Sequence, residues 1–369
     1  MGFGGAERLV HDIAAATVSK GVECNVICLD AITGNTKPLS DRGILIELIK
    51  RGRTPFGPQV CGRLIRSLKA SRATLIHAHD LASLAYAVPA GLTLRIPVVM
   101  TEHSRHYIEE RLVRRMEKHL LCLGVSALVD VSPELAQASI QRDRIPSGKV
   151  VVIENGVDLE LFAAASRERL RCELAVKPDE ILLGMVGRLE EIKGPGVLLE
   201  AFARLAGDIA GARLVFVGGG SQRRALEDRA RALGLQDRTH FTGTRSDIPE
   251  VMAALDILVL PSLSEGLPFA LLEGMAAGRA VVSSAVGAIP RIIRTGEQDG
   301  ADKENGVLVA PGDHMALSKA LAGLLLDEPR RLRLGRMARQ YVAHHYDKRV
   351  MLEKYEEVYA RALFTGRDT

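Results

Sequence analysis

The run Pro261–Ala277, PSLSEGLPFALLEGMAA, holds two glutamates eight positions apart, Glu265 and Glu273. An apolar run ends at Leu260, a loop holds Glu265 and Gly266, and Pro268 stands where a helix would begin. Proline suits a first helical turn, because its missing N–H would be unpaired there anyway. The free amides of that turn, with the helix dipole, make an anion site. Glu273, about one turn inside the helix, is placed to accept hydrogen bonds from a ribose diol. The competing reading is a solvated helix face preceded by a turn glutamate, since charged helix residues are usually exposed.

A second segment, Gly184–Gly194 (GMVGRLEEIKG), runs from a strand pattern into glycine, then Arg188, then Lys193 just before a helix. Two fixed cations beside a loop suit a diphosphate and stabilise its charge as it leaves. Ordinary surface charge is the alternative, favoured by the adjacent Glu190 and Glu191. A third segment, Gly2–Arg8 (GFGGAER), opens a helix, and its glycines allow close approach of backbone to phosphate; it also reads as a flexible end. His77 and His79 end a strand and share a face with Asp80 following, but no further ligand cluster accompanies them. Gly218–Gly220 does not complete G-x-G-x-x-G, because position 223 is Arg, so a phosphate- or nucleoside-facing loop fits better than nicotinamide binding.

These segments need rigid strands and helices to aim them. The 369 residues are 47% hydrophobic and 25% charged, the balance of a globular chain with a core and room for two domains. Trp is absent and aromatics are 4%, which excludes a stacking surface for single-stranded nucleic acid. The net charge of +4 permits an anionic partner without demanding one. Short β-branched runs alternate with helical patterns throughout, which predicts parallel sheets covered on both faces. Strands are expected at Val22–Leu29, Ile44–Ile49, Thr74–His77, Val98–Thr101, Leu128–Ser132 and Val150–Ile153. A second set is expected at Ile181–Val186, Leu214–Val217, Thr239–Thr242, Ile257–Leu260, Ala280–Ser283 and Val307–Val309. The polar stretch Leu161–Asp179 reads as a linker, giving domains 1–165 and 166–345 and a helical tail 346–369. Across the helical stretch from about Arg330 to Leu363, Tyr341, Val350, Leu352, Tyr355 and Val358 are candidates for a buried face. Two doubly wound domains facing each other would bind ligands in a cleft at the carboxyl ends of their strands.

In sequence order the chain carries GGAER (4–8), HAHD (77–80), TEH (101–103), VSPEL (131–135), ENGVD (154–158), VGRLEEIKG (186–194), VFVGGG (215–220), the long run 241–282 and NGVLVAPGD (305–313). On these motifs the chain resembles glycosyltransferase family four, the retaining family of GT-B fold with many bacterial polysaccharide and lipid-linked-sugar enzymes. The resemblance implies transfer of a sugar from a nucleotide diphosphate to a glycan or a polyprenyl- or lipid-linked acceptor, with neither metal nor cofactor. It implies that Glu273 binds the ribose hydroxyls and that Arg188 and Lys193 hold the diphosphate. Gly4 and Gly5 would pack against that diphosphate from the other domain. Glu265, Gly266, Leu267 and Phe269 would contact the transferred sugar, and His103 would sit beside its reacting carbon. One departure stands out: where the family often has Gly-Gly-x-Pro-Glu, this chain has Gly287-Ala288-Ile289-Pro290-Arg291. No Asp-x-Asp occurs, which disfavours the metal-dependent, single-domain class. The rival readings are a GT-B relative such as an epimerase and a catalytically silent nucleotide-sugar-binding partner.

Three expectations concern place and extent. Five cysteines without Cys-x-x-Cys, and an N-terminus carrying Glu7 and Asp12, predict a cytoplasmic protein. From Leu48 to His79 there are seven basic residues and no acidic one, around an apolar stripe of Val60, Cys61, Leu64, Ile65 and Leu68. That helix either lies on the anionic inner face of the membrane or packs its stripe into the domain. Finally, the first glycine loop begins at Gly2, without room for a preceding strand of about 5 residues. The first sheet would then lack a strand, and the chain is expected to start late by about 10 residues.

Overall fold

The computed structural model describes residues 5–32, 36–51, 57–103, 112–207, 209, 211–296, 300 and 303–365. Twelve strands lie among these residues, one at each expected run: β1 (Asn25–Cys28), β2 (Leu45–Leu48), β3 (Ile76–His79), β4 (Val98–Glu102), β5 (Ala127–Asp130), β6 (Val150–Val152), β7 (Ile181–Val186), β8 (Ala212–Val217), β9 (Thr239–Gly243), β10 (Ile257–Leu260), β11 (Ala280–Ser284) and β12 (Val307–Val309). The chain divides into two compact units, residues 156–348 and residues 1–155 with 349–369.

The second unit is a six-stranded parallel sheet in the order β12-β11-β10-β7-β8-β9. Its strands read as continuous apolar runs because both faces are covered. Leu183, Met185, Leu214, Phe216, Ile257 and Val259 pack against Leu198 and Phe202 of the helix Pro195–Ala206 and Leu321 and Leu324 of the helix His314–Leu326. Strand order runs outward from β7 toward β9 and from β10 toward β12, so it reverses between β7 and β10. Loops leaving neighbouring strands at such a point diverge to opposite faces and open a crevice at the strands' carboxyl ends.

The first unit has β3-β4-β5-β6 as one parallel sheet and β1-β2 as a separate parallel pair. Ile27 of β1 and Ile76 of β3 join one apolar cluster around Ile49, Val60, Leu64, Leu68 and Tyr86. The helix Pro58–Ala70 therefore buries its stripe, with Val60, Leu64 and Leu68 inside and Arg63, Arg66 and Lys69 exposed. Of the two readings of this helix, packing into the domain is the one realised, and its stripe is not offered to a membrane.

The change of unit falls at Asn155/Gly156, upstream of the polar stretch read as a linker. That stretch contains the short helices Leu159–Ala163 and Glu168–Glu173. They are held to the second unit by buried Arg171, which donates to the carbonyls of Ala254, Lys177 and Glu180 and to Asp256. The tail is two helices, Glu328–His345 and Lys348–Thr365, and only the latter joins the first unit. Its Met351, Tyr355, Val358 and Ala362 are buried, whereas Val350, expected inside, is 48% exposed. One residue of helix, about 100° of rotation, separates Val350 from Met351, and the buried face falls on the latter.

Candidate functional site

Both carboxylate- and cation-bearing segments end at the switch point of the second sheet. After β7 the chain passes Gly187 and Arg188 into a 3-10 turn, Glu191–Lys193, closed by Gly194 at φ +66°. A Cβ on Gly194 would lie 2.1 Å from the Pro261 carbonyl, so only glycine lets this loop meet the one after β10. The Leu263 amide then donates to the Ile192 carbonyl at 2.8 Å. This approach places Lys193 Nζ 2.7 Å from both Glu265 oxygens, while Ser262 Oγ donates to Glu265 Oε1 at 2.7 Å. The Glu265 side chain is 7% exposed and that of Lys193 24%. The partly buried pair is oriented by three bonds and keeps the cation within reach of solvent.

Gly287 fixes the same loop from behind. At φ +56°, its missing Cβ leaves room for the carbonyls of Glu265 and Gly266, and the Ala288 amide donates to Gly266. Pro268 is the N-cap of the helix Phe269–Ala276, one position earlier than expected, with no side-chain cap. The Leu271 amide donates to the Pro268 carbonyl at 3.2 Å, and the amides of Phe269 and Ala270 before it, which an α-helix leaves without an internal acceptor, face the anion position. Gly266, Leu267 and Phe269 are buried at this entry. Glu273 is 8% exposed, which overturns the solvated-face alternative. A carboxylate so far from water is a committed acceptor.

Arg188 differs. It is exposed, and among the described residues it makes no hydrogen bond or salt bridge. Its neighbour Glu190 turns away to the amide and hydroxyl of Ser221, at 2.9 and 2.6 Å, and those bonds hold its carboxyl below the usual range. Glu190 thus staples the loop after β7 to the one after β8, and Arg188 acts on it only as a nearby charge. Gly218 completes that contact: its Cβ would sit 1.9 Å from the Gly187 carbonyl. Ser262 was not singled out from the sequence, and Gly187, Glu190 and Gly287 were named there without these roles. Their signal was only their position next to residues that were given roles.

His103 and Gly5 belong to the first unit; Gly4 lies outside the described residues. Gly5 begins the helix Gly5–Ser19. His103 follows β4, and β3 lies beside it in register, His79 opposite Thr101. His103 Nε2 is 3.1 Å from His79 Nδ1, with the rings stacked. His77 contacts the Tyr359 hydroxyl at 2.6 Å and Thr101 Oγ1 at 2.8 Å, and Tyr355 reaches Thr101 at 3.3 Å. The tail helix thereby closes over the histidines. Burial lowers His103 to about 4 and His77 to about 3, and holds His79 well below its ordinary value, so all three rings are neutral near pH 7. Asp80, next to His79, sits in the left-handed region at φ +69°, a conformation that costs an L-residue about 1 kcal/mol. Among the described residues no group of three His, Cys, Asp or Glu side chains is placed to hold a metal ion.

The chain resembles known proteins in both sequence and fold. Residues 3–161 match the model of Glycosyltransferase Family 4 and residues 166–341 that of Glycosyl transferases group 1. The chain is 27% identical over 354 residues to the D-inositol 3-phosphate glycosyltransferase of Mycobacterium marinum, covering 87% of this chain and 73% of that one. It is 28% identical over 361 residues to the enzyme of the same name from Stackebrandtia nassauensis, covering 83% and 80%. Its fold matches that of Anabaena Alr3699/HepE, solved in complex with UDP-glucose, with a TM-score of 0.82 at 22% identity over 97% and 96% of the two chains. With one model on each half and a parallel Rossmann-like sheet in each unit, the chain belongs to the family-four glycosyltransferases of GT-B fold.

Proposed function

We propose that the chain transfers a sugar from a nucleoside diphosphate to a glycan or lipid-linked acceptor, with retention at the anomeric carbon and without a metal ion. The observation that carries this reading is the switch point of the second sheet. There Arg188, Lys193, Glu265, the entry of the Phe269–Ala276 helix and Glu273 all leave β7 and β10. Glu273 takes the ribose hydroxyls. Arg188 and Lys193 take the diphosphate, and with the helix entry they stabilise the charge growing on it as the glycosidic bond breaks. The acceptor hydroxyl attacks from the face the diphosphate is leaving, and a leaving phosphate oxygen takes its proton. Glu265 orients Lys193 and the sugar, an electrostatic role and not a nucleophilic one. The family resemblance further assigns His103 to the reacting carbon and the loop of Gly4 and Gly5 to the diphosphate. The Anabaena relative was solved with UDP-glucose, so UDP-sugars are the first donors to try. A lipid-linked acceptor fits a cytoplasmic protein working at the inner face of the membrane.

The test is turnover of labelled UDP-sugars with EDTA and with Mg²⁺, and the anomeric configuration of the product by NMR. Equal rates and a retained anomer are expected. Activity lost on chelation and restored by Mg²⁺ or Mn²⁺, or an inverted anomer, overturns the mechanism. A donor epimerised without transfer moves the chain to the epimerase reading.

A further inference from the structure

Side chains two apart on a strand share a face, and β3 and β4 are parallel neighbours with His79 opposite Thr101. The shared face carries three imidazole rings in a row. His79 stands in the middle, its ring centroid 4.2 Å from that of His77 and 5.3 Å from that of His103. The outer ring, His77, is fixed at both nitrogens: Nδ1 meets the Tyr359 hydroxyl at 2.6 Å and Nε2 meets Thr101 Oγ1 at 2.8 Å. His103 is fixed at one nitrogen. Its Nε2 lies 3.1 Å from His79 Nδ1, and its Nδ1 has no hydrogen-bond partner among the described residues. A metal ion would need lone pairs aimed at a common point, whereas the paired nitrogens of His79 and His103 are aimed at each other.

Both of these rings are neutral near pH 7, because burial lowers their basicity. A neutral imidazole has one N–H and one bare nitrogen, so the bond between the rings holds a single proton. If His79 donates, His103 carries its own proton on Nδ1 and offers a donor outward. If His103 donates, its Nδ1 is a bare acceptor. Either way the free nitrogen of His103 takes its character from the bond to His79. Without that bond the ring is free to take both tautomers.

We propose that His79 is a positioning residue for His103: through this bond it fixes the tautomer and ring angle with which His103 Nδ1 meets a hydroxyl of the transferred sugar. The proposal rests on the assignment of His103 to the reacting sugar. His79 is itself held by the His77 ring behind it and by the strand register beneath it, so the sheet carries the geometry. A role confined to packing would ask only for a ring at position 79. The proposed role asks for a hydrogen-bonding atom where Nδ1 stands.

Two variants separate these roles. His79→Phe keeps a ring against His77 and removes the bond. His79→Asn loses the ring and keeps an amide near the Nδ1 position, able to donate or accept. The first readout is nitrogen NMR of isotopically labelled histidine rings, with the His103 signals identified by their loss in His103→Gln. A single His103 tautomer is expected in wild type and in His79→Asn, and a mixture in His79→Phe. The second readout is hydrolysis of labelled UDP-glucose. In His79→Phe kcat falls on the order of 10- to 100-fold with donor KM little changed, and His79→Asn recovers most of the loss. A His103 tautomer unchanged in His79→Phe overturns the proposal, as does a His79→Asn variant no better than His79→Phe in both readouts. Wild-type kcat in His79→Phe beside an impaired His103→Gln overturns the proposal alone. Wild-type kcat in His103→Gln overturns the assignment of His103 to the sugar, and the proposal with it.

Discussion

The two units place polar groups in opposite ways. In the second, ionised partners are held at a strand switch point by glycine-dependent contacts between loops: Lys193 on Glu265, Glu190 on Ser221, Gly194 under Pro261. In the first, partly buried neutral rings form a hydrogen-bonded chain running from His103 and His79 beside His77 to Thr101, Tyr355 and Tyr359. Charges that must meet a charged ligand need fixed geometry and some access to water, and a loop junction supplies both. Groups that must stay uncharged need desolvation, and the tail helix supplies it. The first unit's chemistry therefore depends on a segment far away in sequence, while the second unit's depends on neighbouring loops.

If that contrast is right, substitutions in the second unit act on rate and donor affinity, and those at the tail helix and His77 of the first act on stability. The largest effect is expected for Lys193→Ala, which removes the cation proposed to serve the leaving diphosphate: kcat falls by roughly 100-fold or more with little change in KM. Steady-state kinetics check it, and an effect confined to KM would assign Lys193 to binding alone. Glu273→Ala comes next. Loss of a buried carboxylate's bonds to a diol raises the donor KM by roughly 10- to 100-fold and leaves kcat nearer wild type. Wild-type kinetics in both variants would place the donor elsewhere.

In the first unit, Tyr359→Phe takes the hydroxyl from His77 and leaves a buried ring nitrogen without that bond. Stability falls by about 1–3 kcal/mol in chemical denaturation, while donor KM is unchanged. The remaining prediction concerns pH. The native histidines titrate below the ordinary 6.5, His103 at about 4 and His77 at about 3. As pH falls below 6.5 the unfolded chain takes up protons that the folded chain refuses, so this stability is full above 6.5 and is lost progressively toward pH 4. Melting temperature should decline over that window, with a shallower slope in His77→Gln. A flat profile from pH 6.5 to 4 would mean the rings are not shielded from water.

Much of the molecule was legible in the sequence. Most of the twelve strands announce themselves as short apolar runs, because a strand covered on both faces is apolar at consecutive positions, a local property; β2, with Leu45, Glu47 and Leu48 exposed, and β3, with two histidines, are exceptions. The Glu265–Glu273 spacing and the Pro268 helix entry were legible for the same reason: a strand, a loop and a helix start are read from adjacent residues. The partnership of Lys193 with Glu265 was not, since 72 residues separate them and the contact needs β7 beside β10. Glu273 reads as a polar helix position, and only the packing of its helix buries it.

Where sequence pattern and fold diverge, the cause is tertiary each time. The stripe on Pro58–Ala70 and the stripe on Leu112–Leu123 look alike as periodicity, yet the first is buried against Ile49, Ala85 and Tyr86 and the second faces water. Apolar spacing says that a helix has two faces, not which one meets the core. The tail was legible as helix, but its return to the first unit, with Tyr355 and Tyr359 closing over His77, depends on contacts some 280 positions apart. Sequence alone thus determined the elements, their order and the chemistry each loop could carry, because those follow from neighbouring residues. Tertiary structure decided which charges pair, which stripe is hidden and which histidines lose their water. Those depend on what lies across the sheet, where chain distance carries no information.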